Sequence, residues 1–191
     1  MQLYNVKSDN SVIRGEYPFH KELKEELLPL LKNYPDHQNR STNVQATMTD
    51  WDWQKDNQRL KRLKECIIAE AYSHVNCKKI ACDKSQISFK LIFDEFWANI
   101  YNKGDYTLSH DHVNPTGYQA GFGFVYFLKA KWYHPSFIFT DSGKKIRPKE
   151  GTYLLFPYHL YHHVPKNRFK ETRITLSGNI DVTNPLIAKE S

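Results

Sequence analysis

No run of apolar residues in this chain of 191 amino acids approaches the roughly 20 that a membrane-spanning helix needs. The opening residues Met1, Gln2, Leu3, Tyr4 and Asn5 lack the basic segment and apolar core of a secretory leader. The expectation is a protein that stays in the cytoplasm and has no membrane partner. Cysteine is scarce: Cys66, Cys77 and Cys82 are odd in number, which suits reduced thiols better than a disulfide frame. Together with His74 they make no CxxC knuckle, so a zinc cluster is disfavoured. There is no internal repeat and no low-complexity stretch, which excludes repeat arrays and compositionally biased chains.

What is present describes one globular domain. The composition is 40% hydrophobic, 14% aromatic and 25% charged, the profile of a folded soluble chain, and the length suits one full domain better than two. Tyrosine and phenylalanine, 12 and 11 in number, favour strands in the core. The net charge of +6 raises nucleic acid as a partner. The basic residues cluster only at Arg59, Lys61, Arg62 and Lys64 and at Lys144, Lys145, Arg147 and Lys149, a pattern better read as solvated faces. Oligomeric state leaves no mark on the sequence.

Periodicity divides the chain into a helical N-terminal part and a strand-rich remainder. Leu23, Leu27, Leu28, Leu30 and Leu31 predict an amphipathic helix over residues 20–32, with Pro29 inside it as a potential kink. Leu60, Leu63, Ile67, Ile68, Ala71 and Val75 predict a longer helix over 55–75. Between them, residues 34–53 are polar and irregular and end in Trp51 and Trp53; this segment is either a lid or a strap whose indoles fill the edge of the core. Beyond Ser85 come β-rich runs at 87–101, 121–128, 137–139, 151–156, 159–164 and 173–182. Turn signals separate them at Asn114-Pro115-Thr116-Gly117, Asp141-Ser142-Gly143 and Lys149-Glu150-Gly151. The charged stretch 141–149 reads as an exposed hairpin or loop. Helices followed by many short strands predict a sheet sandwich or jelly roll buttressed by helices on one side.

Chemistry concentrates between Tyr101 and Arg173. Six of the nine histidines fall between His110 and His163. On a strand, His110 and His112 project from one face while Asp111 points away, so the two imidazoles can bite one metal. Imidazole suits iron, zinc, copper and nickel, and three protein ligands leave positions open for a cosubstrate and O₂. The third ligand is expected from His159, His162 or His163; periodicity alone does not choose among them.

Arg173 adds a second requirement. Its neighbours Ile174, Leu176 and Ile180 are apolar, which predicts an inner strand, and a buried guanidinium needs a carboxylate. A ligand carboxylate gripped by Arg173, with the hydroxyl of Thr175 on the same face, meets that need. The plainer alternative is a surface arginine paired with Glu171 or Asp141.

The run Tyr101-Asn102-Lys103-Gly104-Asp105-Tyr106 followed by His110-Asp111-His112 resembles the corresponding stretch of prolyl 4-hydroxylase-like enzymes, within the 2-oxoglutarate/Fe(II)-dependent dioxygenases. Trp97 to Tyr101, Ser109 to Asn114, Leu155-Phe156-Pro157, His162-His163-Val164-Pro165 and Arg173-Ile174-Thr175-Leu176-Ser177 are more closely similar to 2-oxoglutarate/Fe(II) oxygenases of bacteria and marine phages. The resemblance covers residues 96–182 and not the N-terminal helices.

It implies a double-stranded β-helix (jelly roll, cupin-like); with the helices read from periodicity, the expected fold is mainly β with N-terminal helices that buttress it. Residues 1–84 would form the helical portion and possible lid, 85–182 the β-helix core and 183–191 a tail. It implies Fe(II) held by His110, His112 and His162, with His159 and His163 left outside the ligand set. It also implies 2-oxoglutarate as cosubstrate, held by Arg173 and Thr175. Tyr101 is the expected further hydroxyl contact, with Tyr126 the weaker candidate. The host cell's cytoplasm is the implied location if a phage encodes the chain. Better-known members carry a carboxylate where His112 stands; three neutral imidazoles leave the metal's charge uncompensated until the 2-oxoglutarate dianion chelates it, and zinc then competes more strongly. Asp111 could turn inward only through a bulge.

The implied activity is hydroxylation of a C–H bond with 2-oxoglutarate and O₂ as cosubstrates and succinate and CO₂ as coproducts. A protein side chain such as proline is the expected substrate, with Trp51, Trp53, Tyr106 and Trp132 as rim contacts. A nucleic-acid base is the lesser alternative. Two other readings fit the residues: a non-catalytic metal-binding jelly-roll module, and a three-histidine cupin-type dioxygenase that works without 2-oxoglutarate on a small acid held by Arg173.

Overall fold

The computed structural model describes residues 2–5, 11–36, 38, 40–75, 90–113 and 121–183. Cys77, Cys82, the expected turn at 114–117 and the tail beyond Thr183 lie outside the described residues.

Two antiparallel sheets face each other. The larger has seven strands, in the order β1 (Gln2–Asn5), β2 (Ser11–Glu16), β10 (Thr152–Pro157), β7 (Gly121–Lys129), β12 (Arg173–Thr183), β5 (Lys90–Tyr101) and β4 (Thr47–Met48), and the smaller five, in the order β3 (Val44–Gln45), β6 (Tyr106–His110), β11 (His162–Val164), β8 (Phe137–Phe139) and β9 (Lys144–Ile146). The long strands β5 (Lys90–Tyr101), β7 (Gly121–Lys129), β10 (Thr152–Pro157) and β12 (Arg173–Thr183) build the middle of the large sheet. β6 (Tyr106–His110), β8 (Phe137–Phe139), β9 (Lys144–Ile146) and β11 (His162–Val164) build most of the small one. The charged stretch after Phe139 is thus a hairpin whose return limb, β9, pairs with β8.

Side-chain alternation decides what each face of the large sheet meets. Phe96, Ala98, Ile100, Phe124, Tyr126, Leu128, Ile174 and Leu176 point outward into a cluster with the helices. Val125 and Phe127 point inward and pack with Phe137, Phe139, Phe156 and Val164 between the sheets. Because both its faces are covered, β7 reads as a nearly continuous apolar run, whereas β12 alternates apolar residues outward with polar ones inward.

Both expected helices form on the outer face. Helix α1 (His20–Leu31) buries Leu23, Leu27 and Leu31, one residue per turn, while Leu30 stays exposed. Pro29 sits in the last turn, and the helix ends two residues later instead of kinking. Helix α2 (Gln58–Val75) starts later than periodicity suggested. The Asn57 side-chain oxygen accepts the backbone N–H groups of Arg59 and Leu60 at 3.0 Å each and caps it there. Among the described residues no helix is long and apolar enough to cross a membrane.

The N-terminal portion is not wholly helical. Residues Gln2–Asn5 (β1) and Ser11–Glu16 (β2) extend the large sheet beyond β10. The segment between the helices is a strap: β3 (Val44–Gln45) pairs with β6 of the small sheet and β4 (Thr47–Met48) with β5 of the large one. Its indoles pack inward, Trp53 buried edge-on to Tyr34 and Trp51 edge-on to Trp97 at 4.8 Å.

Candidate metal centre

The site lies between the sheets, on the inner face of β5 and β12 and the facing side of β6 and β11. β11 pairs with β6 so that His162 stands directly opposite His110. β6 ends at His110, so His112 is placed not by strand alternation but by its own backbone N–H, which donates to the Tyr158 carbonyl at 2.9 Å. The ligand atoms of His110, His112 and His162 all lie within 4.8 Å of one another. The Nε2 atoms of His112 and His162 are 3.3 Å apart, a separation that two ligands of one ion can adopt.

Each imidazole has its other nitrogen engaged. Nδ1 of His110 faces the Leu108 carbonyl at 2.9 Å, Nδ1 of His162 faces the Leu160 carbonyl at 2.9 Å, and Nδ1 of His112 faces the Asn179 side-chain oxygen at 2.6 Å. An acceptor at each Nδ1 fixes the Nδ1–H tautomer and leaves three Nε2 lone pairs converging. Burial disfavours the charged imidazolium at all three: His112 is pushed down to about 4, and His162 falls well below its ordinary value. Neutral, aligned imidazoles are what a divalent ion requires.

The rings are held by aromatic contacts. Phe137 stacks on His162 at 4.9 Å and Tyr158 on His112 at 5.8 Å. The Tyr158 hydroxyl donates to Asp181 at 2.6 Å. Asp111 is engaged by the Tyr161 hydroxyl, and the burial of that carboxylate's neighbourhood is partial; among the described residues the metal-capable cluster contains His112 and not Asp111. His163 points away from His162 to meet Thr140 at 3.0 Å, and His159 is exposed.

At the other end of the same face sits Arg173, 1% exposed. Among the described residues none of its three guanidinium nitrogens has a hydrogen-bond partner, so the alternative pairing with Glu171 or Asp141 does not form. The guanidinium lies over the rings of Tyr101 at 4.9 Å and Phe127 at 5.5 Å, and burial pushes its pKa down. Arg173 pairs across the ladder with Tyr101, Thr175 with Asn99, Ser177 with Trp97 and Asn179 with Glu95. The Tyr101 hydroxyl is 2.7 Å from that of Thr107, and Asn99 donates to Thr175 at 3.4 Å and Ser177 at 3.0 Å. The three histidines, Arg173, Thr175 and Tyr101 line one pocket.

Some expected contacts are elsewhere. Tyr126 projects from the outer face, its hydroxyl 2.6 Å from Nδ1 of His20, because its even position in β7 puts it beneath the helices. Trp51 and Trp53 are drawn into packing and leave the rim, whereas Trp132 is 73% exposed. Sequence reasoning did not single out Asn179, Glu95, Tyr158 or Asn99. The alternation of polar residues at 173, 175, 177 and 179 is a signal for Asn179; nothing local marks Glu95.

Solved structures carry the same arrangement of sheets and helices. The viral collagen prolyl hydroxylase of Paramecium bursaria Chlorella virus-1, solved with 2-oxoglutarate, matches at a TM-score of 0.60 and 16% identity, covering 89% of this chain and 95% of that one. A Pseudomonas putida prolyl-4-hydroxylase matches at 0.68 and 12% identity, over 91% and 93%. The fold is the double-stranded β-helix of the prolyl hydroxylases. A third β-helix of this kind, the Trichoplax adhaerens prolyl hydroxylase in complex with a hypoxia inducible factor peptide fragment, matches at 0.59 and 15% identity, over 94% and 87%. No family model matches the chain, and no curated protein matches its sequence. The mainly β fold with helices against one sheet thus agrees with the expectation from the sequence. In this β-helix the histidines and Arg173 occupy the space between the sheets.

Proposed function

We propose that this protein is an Fe(II)- and 2-oxoglutarate-dependent dioxygenase that hydroxylates a C–H bond, with a protein side chain such as proline as its substrate. One observation carries the reading: a fully buried guanidinium with no hydrogen-bond partner among the described residues opens into the same pocket as three converging neutral imidazoles. A buried, uncompensated charge is costly unless a ligand completes it, and a dicarboxylate that also chelates a metal completes both halves of the pocket at once. The fold shared with prolyl hydroxylases, one of them holding 2-oxoglutarate and another a peptide, supports it.

His110, His112 and His162 would hold the ion. When bound, Fe(II) supplies the decarboxylation of 2-oxoglutarate by O₂ to succinate and CO₂, coupled to transfer of one oxygen atom into a substrate C–H bond. Arg173 binds the far carboxylate, with the Thr175 and Tyr101 hydroxyls beside it. Burial raises the Tyr101 pKa, so its hydroxyl is neutral and able to donate. The apolar walls, Phe137, Phe156 and Val164 among them, exclude water from the reacting atoms. Trp132 and Tyr106 remain as candidate rim contacts for a peptide.

The test is an anaerobic titration of metal-free protein with Fe(II) and then 2-oxoglutarate, following the visible charge-transfer band of the chelate. The band is expected in the wild type and at low cosubstrate is lost in Arg173→Ala; His162→Ala abolishes turnover, and Arg173→Ala mainly raises the 2-oxoglutarate requirement. Full activity in both variants would sink the assignment. A second reading draws on His112: three imidazoles also suit a dioxygenase that acts on its substrate without 2-oxoglutarate, with Arg173 holding a substrate carboxylate. Turnover of a small acid with O₂ alone, and no chelate band, would favour it. Tightly held zinc with no response to 2-oxoglutarate would point instead to a non-catalytic module.

A further inference from the structure

The three-imidazole set leaves open how the charge of a divalent ion is balanced before any anionic ligand arrives. A carboxylate is present nearby but one step removed. Glu95 lies on the inner face of β5, on the same side as Trp97, Asn99 and Tyr101 and at the opposite end of that row from Arg173. It is the ladder partner of Asn179, whose Nδ2 donates to Glu95 Oε2 at 2.7 Å. The other end of that amide, Oδ1, accepts from His112 Nδ1 at 2.6 Å.

Burial and the neighbouring Asp94 and Asp181 carboxylates push the Glu95 pKa up, while the Asn179 amide holds it down; with Glu95 ionised, the polarity of this chain is forced. An ionised carboxylate only accepts, so the amide must turn its NH₂ toward Glu95 and its carbonyl toward His112. His112 must then carry its proton on Nδ1, leaving Nε2 free. Negative charge at Glu95 polarises the amide, and the polarised carbonyl makes the imidazole a stronger donor to an ion at Nε2. Asp181 sits beside this relay and fixes the Tyr158 ring that stacks on His112. A register shift between Asn179 and Ile180 leaves Asp94 as the extra residue of β5, so Glu95 faces inward with Asn179 while Phe93, opposite Ile180, packs against the outer-face cluster.

We propose that Glu95 is a positioning residue for the metal centre: through the Asn179 amide it fixes the tautomer of His112 and delivers to that imidazole the negative charge that a set of three neutral ligands lacks. The inference rests on the metal centre proposed above and deepens it. It assigns the role of the missing carboxylate to a residue 84 positions away from its relay partner, outside the ligand set.

The experiment measures Co(II) affinity of metal-free protein by competition with a chromophoric chelator, together with the ligand-field band of the bound ion and the urea midpoint of the metal-free state. Glu95→Gln keeps an acceptor for Asn179 and removes the charge. It should weaken Co(II) roughly 10- to 100-fold and shift the band, with the metal-free midpoint unchanged. Glu95→Asp, which keeps the charge, should retain more affinity than Glu95→Gln. Asn179→Leu should lose a similar factor, and adding Glu95→Gln to it should cost little more. Wild-type affinity in Glu95→Gln overturns the inference and leaves the metal centre standing. A full Glu95→Gln effect in the Asn179→Leu background overturns the relay, since the charge would then act through space. A greater loss in Glu95→Asp than in Glu95→Gln makes shape and not charge decisive, and also overturns it. If the wild type binds no Co(II), the metal centre and the inference fall together.

Discussion

Replacing Arg173 with methionine, which fills a similar volume without charge, separates a ligand-binding arginine from a structural one. In the ligand-free protein all three guanidinium nitrogens are buried and have no hydrogen-bond partner among the described residues, and each buried unsatisfied donor costs about 1–3 kcal/mol. The rings of Tyr101 and Phe127 under the guanidinium offset about 0.5–2 kcal/mol each. Exchanging buried ionic groups for well-packed apolar ones stabilises by about 1–4 kcal/mol in comparable cases. Arg173→Met is therefore expected to raise the stability of the ligand-free protein by about 2 kcal/mol, or about 4–8 °C in melting temperature for a chain of this size. With metal and 2-oxoglutarate the order reverses. A ligand at 100 times its Kd stabilises the wild type by about 2.7 kcal/mol, whereas the variant should respond only weakly. Thermal and urea unfolding of both proteins, with and without metal and 2-oxoglutarate, reads this directly. A variant destabilised by several kcal/mol in the ligand-free state, yet still stabilised by 2-oxoglutarate as much as the wild type, would falsify the assignment of Arg173 to the ligand.

Asn57→Ala removes the oxygen that caps helix α2 and should cost about 1 kcal/mol in urea unfolding, with no change in metal affinity. Leu63→Ala opens a cavity beneath the same helix, where Leu63 is fully buried, and should cost about 2–5 kcal/mol; a loss under 1 kcal/mol would mean the helix is loosely docked. Because His110, His112 and His162 have folded pKa values below their ordinary 6.5, the unfolded chain binds more protons than the folded one as pH falls beneath 6.5. The metal-free protein should therefore lose stability from pH 6.5 down toward about 4, the folded value of His112. Denaturant titrations across that range check it, and a flat profile would contradict neutral burial of the triad.

The sequence carried most of the site's inventory because its residue types are chemically unusual where they stand. An arginine among Ile174, Leu176 and Ile180 can be buried only with an anionic partner in view, and a His110, His112 pair invites a metal wherever it lies. β7 was legible as an apolar run because both its faces are covered, and β12 by the alternation of its apolar and polar residues. β1 and β2 were not legible, since a short strand such as Ser11–Glu16 is stabilised by its pairing with β10 and shows no long apolar pattern of its own. Helix α2 begins three residues after the expected Lys55 because the Asn57 side chain caps it there.

By itself, then, the sequence determined the kinds of groups in the site and the alternation that turns Arg173 and Thr175 to one face, because these depend on residue type and on a period of two. Tertiary structure decided what depends on pairing between distant segments. Register between β6 and β11 set His162, and not His159 or His163, opposite His110. The Tyr158 carbonyl held His112 inward beyond the end of its strand. The ladder between β5 and β12 placed Glu95 behind Asn179. Such contacts are made by strand register, which no local pattern encodes, because it is fixed only when the two sheets close on a shared core.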